Sequence, residues 1–231
     1  DRAYKIAVNG YPGAVHLSLP VDIMFSSFDE NAGRQERPFD LAAQAPARAW
    51  PEPARLQALL DRVAAAERPV LIGGHGVWWS GGEALLEEAG RSLGIPIFNI
   101  PYHQKLLGED CEAYMGLADA HQYHPSADAF NDSDLILMIG ARLDNQMNFG
   151  NAPLFPATTT LCCINGSHEE IDFNRAADVT LLSDPGAFLQ ALIDAGKSGS
   201  IAPDRSWYNL NRQRRDAWVA RMIADVEAEA A

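Results

Sequence analysis

The sequence predicts an α/β fold: a doubly wound parallel sheet of five to six strands with helices on both faces. Three observations lead there. Short, wholly apolar runs recur, among them Val70-Leu71-Ile72 and Leu135-Ile136-Leu137-Met138-Ile139, and a strand apolar on both sides must be covered on both sides. Between these runs lie segments whose apolar residues fall at helical spacing, and that alternation builds a parallel sheet with right-handed crossovers. Most runs also end in glycine or small polar residues, as the strand-to-helix turns of Rossmann-like sheets require.

Taken in order, residues 1–8 read as the last turns of a helix, followed by Asn9-Gly10 and a single apolar strand at 14–19, closed by Pro20-Val21-Asp22. A lone strand cannot satisfy its backbone, so its sheet is expected in sequence that precedes this chain. Residues 25–53 form a long connector with Pro38, Pro46, Pro51 and Pro53 and no apolar period, hence an extended strap. From Pro53 a helix is predicted, with Leu56, Leu59, Leu60 and Val63 on one side and the proline in its first turn. Strands are predicted at 70–72, 95–100, 135–139, 159–164 and 179–182, with a sixth near 111–117. Helices are predicted at 81–93, 126–130, 168–173 and 185–195, the last with Phe188, Leu189 and Leu192 inward. Residues 197–204 form a second linker, and 205–231 an amphipathic helix with Trp207, Trp218 and Met222 beside its basic stretch.

Composition narrows the function. A net charge of −13 over 231 residues disfavours nucleic acid, whose phosphates need a Lys/Arg surface. A local anion site remains compatible with it, because backbone N–H groups and one Arg act at short range. No apolar run reaches the roughly 20 residues that span a bilayer. The three cysteines, Cys111, Cys162 and Cys163, are odd in number, and two are adjacent in an apolar run. That argues for a reducing, cytoplasmic setting and buried, inert thiols.

Ligands of doubly wound sheets sit beyond the carboxyl ends of the strands, and four predicted turns lie there. Gly73-Gly74-His75-Gly76 follows a strand and lets backbone approach a diphosphate, although its spacing departs from G-x-G-x-x-G. Gly140-Ala141-Arg142 supplies a guanidinium that either chelates a phosphate or pairs with Asp144. Asn165-Gly166-Ser167 either meets a ribose hydroxyl or opens a capping box, Ser167-His168-Glu169-Glu170. Asp184-Pro185 either accepts from a base amine or caps a helix. His121 and His124, near Asp119 and Asp128, are spaced for a metal, but sequence places no third ligand.

Several segments carry a resemblance. Residues 10–22, GYPGAVHLSLPVD, resemble the strand that ends the pyrimidine-binding domain of thiamine-diphosphate-dependent enzymes. Glu67-Arg68-Pro69-Val70-Leu71-Ile72-Gly73-Gly74 resembles the opening strand of their central domain. Gly140-Ala141-Arg142-Leu143-Asp144 with Phe149-Gly150 and Pro153 is similar to the corresponding segment of the acetolactate synthase, oxalyl-CoA decarboxylase and 2-hydroxyacyl-CoA lyase group. The resemblance implies that 1–24 are the tail of the pyrimidine domain, 25–53 a linker and 54–195 the central Rossmann-like domain. Residues 196–231 would then lead to the pyrophosphate domain.

The family's catalytic Glu and its Mg²⁺-binding GDG motif fall outside these segments, and no Gly-Asp-Gly occurs in the chain. The resemblance therefore implies no catalytic residue, no metal and no thiamine diphosphate on this chain. Its partners would be the outer domains of a larger enzyme, a homodimer or homotetramer that uses thiamine diphosphate and Mg²⁺ on a C–C bond beside a carbonyl. Central domains of the family hold FAD, ADP or part of CoA, or nothing. By position Gly73, Gly74, His75, Gly76, Arg142, Asn165 and Asp184 would face such a nucleotide. Two departures count against it: Asn165 stands where relatives carry an acid, and Pro185 removes an N–H. The competing reading is an independent NAD-dependent oxidoreductase domain, weakened by the missing G-x-G-x-x-G.

Overall fold

The structure, a computed structural model, describes residues 2–27, 45–101, 106–108, 110–201 and 205–229. Most of the connector at 28–44, residues 202–204 of the second linker and the last two residues of the chain lie outside the described residues. The chain divides into two compact units, Asp1–Ala47 and Arg48–Ala231.

In the first unit, helix α1 (Arg2–Val8) ends at Asn9, whose N–H donates to Lys5 O at 3.1 Å. A second helix, α2 (Val21–Phe25), begins directly after Pro20, where the sequence predicted only the close of a strand. The run at 14–19, whose partner strands the sequence places outside this chain, carries no ladder among the described residues, and Leu17 and Leu19 are 67% and 60% exposed. Apolar alternation makes a strand only where another strand supplies the hydrogen bonds, and no described residue of this unit does so.

The second unit is built on six parallel strands in the order β3-β2-β1-β4-β5-β6. They are β1 (Pro69–Gly73), β2 (Ile97–Asn99), β3 (Tyr114–Leu117), β4 (Leu135–Ile139), β5 (Thr160–Asn165) and β6 (Val179–Leu182). β1 pairs with β2 on one side and β4 on the other, Leu71 lying opposite Ile97 and Leu137. Strand order reverses between β1 and β4, which makes their carboxyl ends the switch point. The two central strands are buried almost throughout, as their uniformly apolar sequences demand.

Helices surround the sheet. α3 (Pro53–Ala65) starts where Glu52 accepts from the N–H groups of Ala54 and Arg55, both at 3.1 Å. It buries Leu59 and Val63, each worth roughly 1.5–3 kcal/mol in desolvated side chain. α4 (His75–Ser80) and α5 (Glu83–Leu93) connect β1 to β2. α6 (His124–Asp132) precedes β4, α7 (Pro185–Lys197) follows β6, and α8 (Arg205–Glu229) completes the unit. α5 packs on α7 and α6 on α8, with Phe98 and Phe130 edge to face at 5.2 Å inside.

Two sequence expectations change here. His75 and Gly76 are not a loop: they open the short helix α4, which ends at Gly81 (φ +66°), and the helix predicted at 81–93 begins at Glu83. The long C-terminal helix docks through its first half, as far as Trp218. Trp207 and Tyr208 are buried, and Trp207 Nε1 donates to Pro69 O at 3.0 Å. Farther along, Trp218 meets Tyr123 at 4.7 Å, while Ile223 and Val226 are exposed. Its apolar residues do not gather on one face.

Candidate functional site

The carboxyl ends of the strands bring the predicted turns together, and they do so backbone to backbone. Gly74 N–H donates to Ile139 O at 3.0 Å, and Gly76 N–H to Gly140 O at 2.9 Å. A Cβ on Gly74 would lie 2.3 Å from Gly140 O and 2.5 Å from Ala141 Cα. One on Gly76 would lie 2.6 Å from Gly140 Cα and 3.3 Å from Pro185 Cγ. Gly140 itself sits at φ +58°, a conformation that costs other residues about 1 kcal/mol or more. The glycines after β1 thus permit close contact, as the sequence indicated, but the approaching group is the β4 turn. Gly73 is the last residue of β1, and His75, half-buried, is the first of α4.

Arg142 follows that turn. Its Nε and Nη2 donate to the two carboxylate oxygens of Glu170, and Phe173 lies 4.8 Å from its guanidinium carbon. The side chain of Arg142 is 40% exposed and that of Glu170 4%. Glu170 belongs to the segment read from sequence as a capping box. Ser167 makes no side-chain cap there, and the carboxylate turns to Arg142 instead. Asp144 accepts from Gln146 N–H at 3.1 Å.

Asn165, buried at the end of β5, accepts from Ser167 N–H at 3.4 Å. Asp184 caps α7 by accepting from Ala187 N–H at 3.1 Å, with Pro185 in the first turn. Arg48 Nη1 lies 3.3 Å from Asp184 Oδ1 and also donates to Ser80 O at 2.9 Å. The backbone N–H of Asp184 donates to Ala49 O at 2.7 Å. Sequence reasoning did not name Arg48, and it named Glu170 only as part of a capping box, not as the partner of Arg142. One falls in the aperiodic connector, the other is separated from its partner by 28 positions. Nothing local to either residue announces its pairing.

His121 Nε2 bonds Asn145 O at 2.9 Å, and Asp119 accepts from His121 N–H at 3.0 Å and Gln122 N–H at 3.1 Å. Among the described residues no group of three or more His, Cys, Asp or Glu is placed to hold a metal ion. Burial pushes the thiol of Cys162 up to about 12 and that of Cys163 up to about 11, so neither is a nucleophile near neutrality. Among the described residues no helix is long and apolar enough to cross a membrane.

The family model for "Thiamine pyrophosphate enzyme, central domain" matches residues 56–192. The oxalyl-CoA decarboxylase of Escherichia coli (strain K12) is 25% identical over 221 residues, covering 92% of this chain and 36% of that protein. The acetolactate synthase large subunit of Cyanidium caldarium is 23% identical over 225 residues, covering 96% of this chain and 37% of the relative. Benzoylformate decarboxylase from Polynucleobacter necessarius has the same fold. Its TM-score is 0.66 at 20% identity, over 89% of this chain and 36% of that one. The chain spans about a third of the length of the curated relatives it matches.

Proposed function

The chain belongs to the family of thiamine pyrophosphate enzyme central domains, and on that premise we propose that it is a structural, non-catalytic module of a thiamine-diphosphate-dependent enzyme. The whole enzyme would make or break a C–C bond beside a carbonyl, with thiamine diphosphate as electron sink and Mg²⁺ holding the diphosphate. Both would be bound by the outer domains, which are this chain's partners in a cytoplasmic homodimer or homotetramer. Relatives named acetolactate synthase and oxalyl-CoA decarboxylase support the class and do not choose the substrate.

A nucleotide does not fit the strand ends well. The observation that carries this is the closure of the switch point, where Gly76 donates to Gly140 O rather than facing outward. The other candidates are engaged too: Arg142 with Glu170, Asp184 with Arg48 and α7, Asn165 with Ser167. A phosphate of FAD, ADP or CoA reaching Arg142 would compete with the buried Glu170 carboxylate for its forked donors. The same closure removes the dinucleotide turn that an independent oxidoreductase needs. The domain's role is then to hold the outer domains at a fixed separation.

Thermal unfolding with and without ADP, FAD or CoA tests this. A ligand at 100 times its Kd stabilises by about 2.7 kcal/mol, a shift of several degrees. No shift is expected at about 1 mM of each, whereas a saturable shift with any of them rejects the closed-site reading.

A further inference from the structure

We infer that Glu170 acts as an internal anion, occupying the guanidinium of Arg142 and so keeping phosphate-bearing ligands from the end of β4. The inference rests on the closed-site reading and deepens it, because it names the residue that withholds one cation from outside anions. Arg142 stands where doubly wound sheets place their ligands. Its two donors meet both oxygens of one carboxylate, the forked geometry in which a guanidinium also takes a phosphate.

The exposures differ in a telling way. The guanidinium reaches water, with its side chain 40% exposed, while Glu170 is 4% exposed. An anion arriving from solvent therefore finds the cation accessible and its forked donors already engaged from the buried side. Glu170 is anchored: its N–H donates to Ser167 O at 3.2 Å and its carbonyl accepts from the Cys163 thiol at 4.0 Å. The ring of Phe173, its centroid 4.8 Å from the guanidinium carbon, lies against the cation. The hollow around the pair is also lined by Asp172 and Arg175, so its lining carries two cations and two carboxylates. Removing the charge of Glu170 leaves this lining with one net positive charge and Arg142 without its bidentate carboxylate, a state that a bound anion relieves.

The test titrates inorganic pyrophosphate and ADP against the 231-residue wild-type chain, Glu170→Gln, and the double variant Arg142→Gln/Glu170→Gln, by calorimetry at low salt. Gln keeps the shape of Glu and removes its charge. Glu170→Gln is expected to bind pyrophosphate at least about tenfold more tightly than wild type, and the double variant to lose that gain. A folded, cooperatively melting Glu170→Gln chain with wild-type affinity overturns the inference. Should that variant not fold, the wild type decides. The Nε–H resonance of Arg142 is expected to stay in place through about 10 mM pyrophosphate, and its movement overturns the inference. The two readings fail separately. Nucleotide binding by wild type that Arg142→Gln leaves unchanged rejects the closed site alone, and an unresponsive Glu170→Gln rejects only the role of Glu170.

Discussion

Gly76 and Gly140 touch through their backbones: the N–H of the first donates to the carbonyl of the second at 2.9 Å. A Cβ on Gly140 would lie 2.5 Å from Gly76 Cα, and its φ is +58°. Neither position has room for a methyl group. Gly140→Ala combines that clash with left-handed strain and is expected to cost about 2–4 kcal/mol in urea denaturation. Gly81→Ala shares a positive φ, +66°, but has nothing within 4 Å, so it should cost only about 1 kcal/mol. Equal losses at the two positions would mean that the crossing of the turns is not tight.

Asp184 is expected to matter more than the Arg48 that pairs with it. Its carboxylate caps α7 at Ala187 and is 12% exposed as a side chain, against 54% for Arg48. Asp184→Ala should destabilise by about 1–2 kcal/mol, Arg48→Ala by no more than about 1 kcal/mol. The midpoints of the two urea curves give the comparison, and the reverse order would contradict it.

The thiols set an alkaline limit. Desolvation by burial raises Cys162 from 9.0 to about 12 and Cys163 from 9.0 to about 11, and burial raises Tyr123 in the same direction. The folded chain keeps these protons where the unfolded chain releases them. Their contribution to stability is complete below about pH 8 and is lost as the pH climbs from 9.0 towards about 12. Stability measured by urea should therefore fall steadily above about pH 9. Cys162→Ala/Cys163→Ala should flatten part of that fall, and an unchanged slope would locate it elsewhere.

Helix α8 should be sensitive at its start and tolerant near its end. Trp207 is 4% exposed and donates to Pro69 O, so Trp207→Ala is expected to cost about 3–5 kcal/mol. Val226 is 66% exposed, and Val226→Ser should change stability by less than about 0.5 kcal/mol. Melting of both variants distinguishes this from a helix docked along its whole length.

The sheet was legible because a strand buried on both faces must be apolar at every position, as Leu135–Ile139 is. The sixth strand was readable only as a region, since β3 mixes exposed and buried positions around Gly116. α4 was missed because Gly76 and His75 speak against a helix locally, while the packing of Gly76 on Gly140 decides for one. The apolar run at 14–19 meets no pairing partner among the described residues, and alternation carries no information about where such a partner lies. In the site, sequence located the turns at the strand ends and could not see what pairs with their side chains. The partners of Arg142 and Asp184 lie 28 and 136 residues away, and only the fold brings them close.

Amide hydrogen exchange at Gly76, followed by NMR with and without ADP, tests the closed switch point most directly. The account expects this N–H, bonded to Gly140 O, to exchange slowly, like those of β1 and β4, and to be indifferent to ADP. Exchange at the rate of an open loop, or protection that appears only when ADP is present, would contradict it.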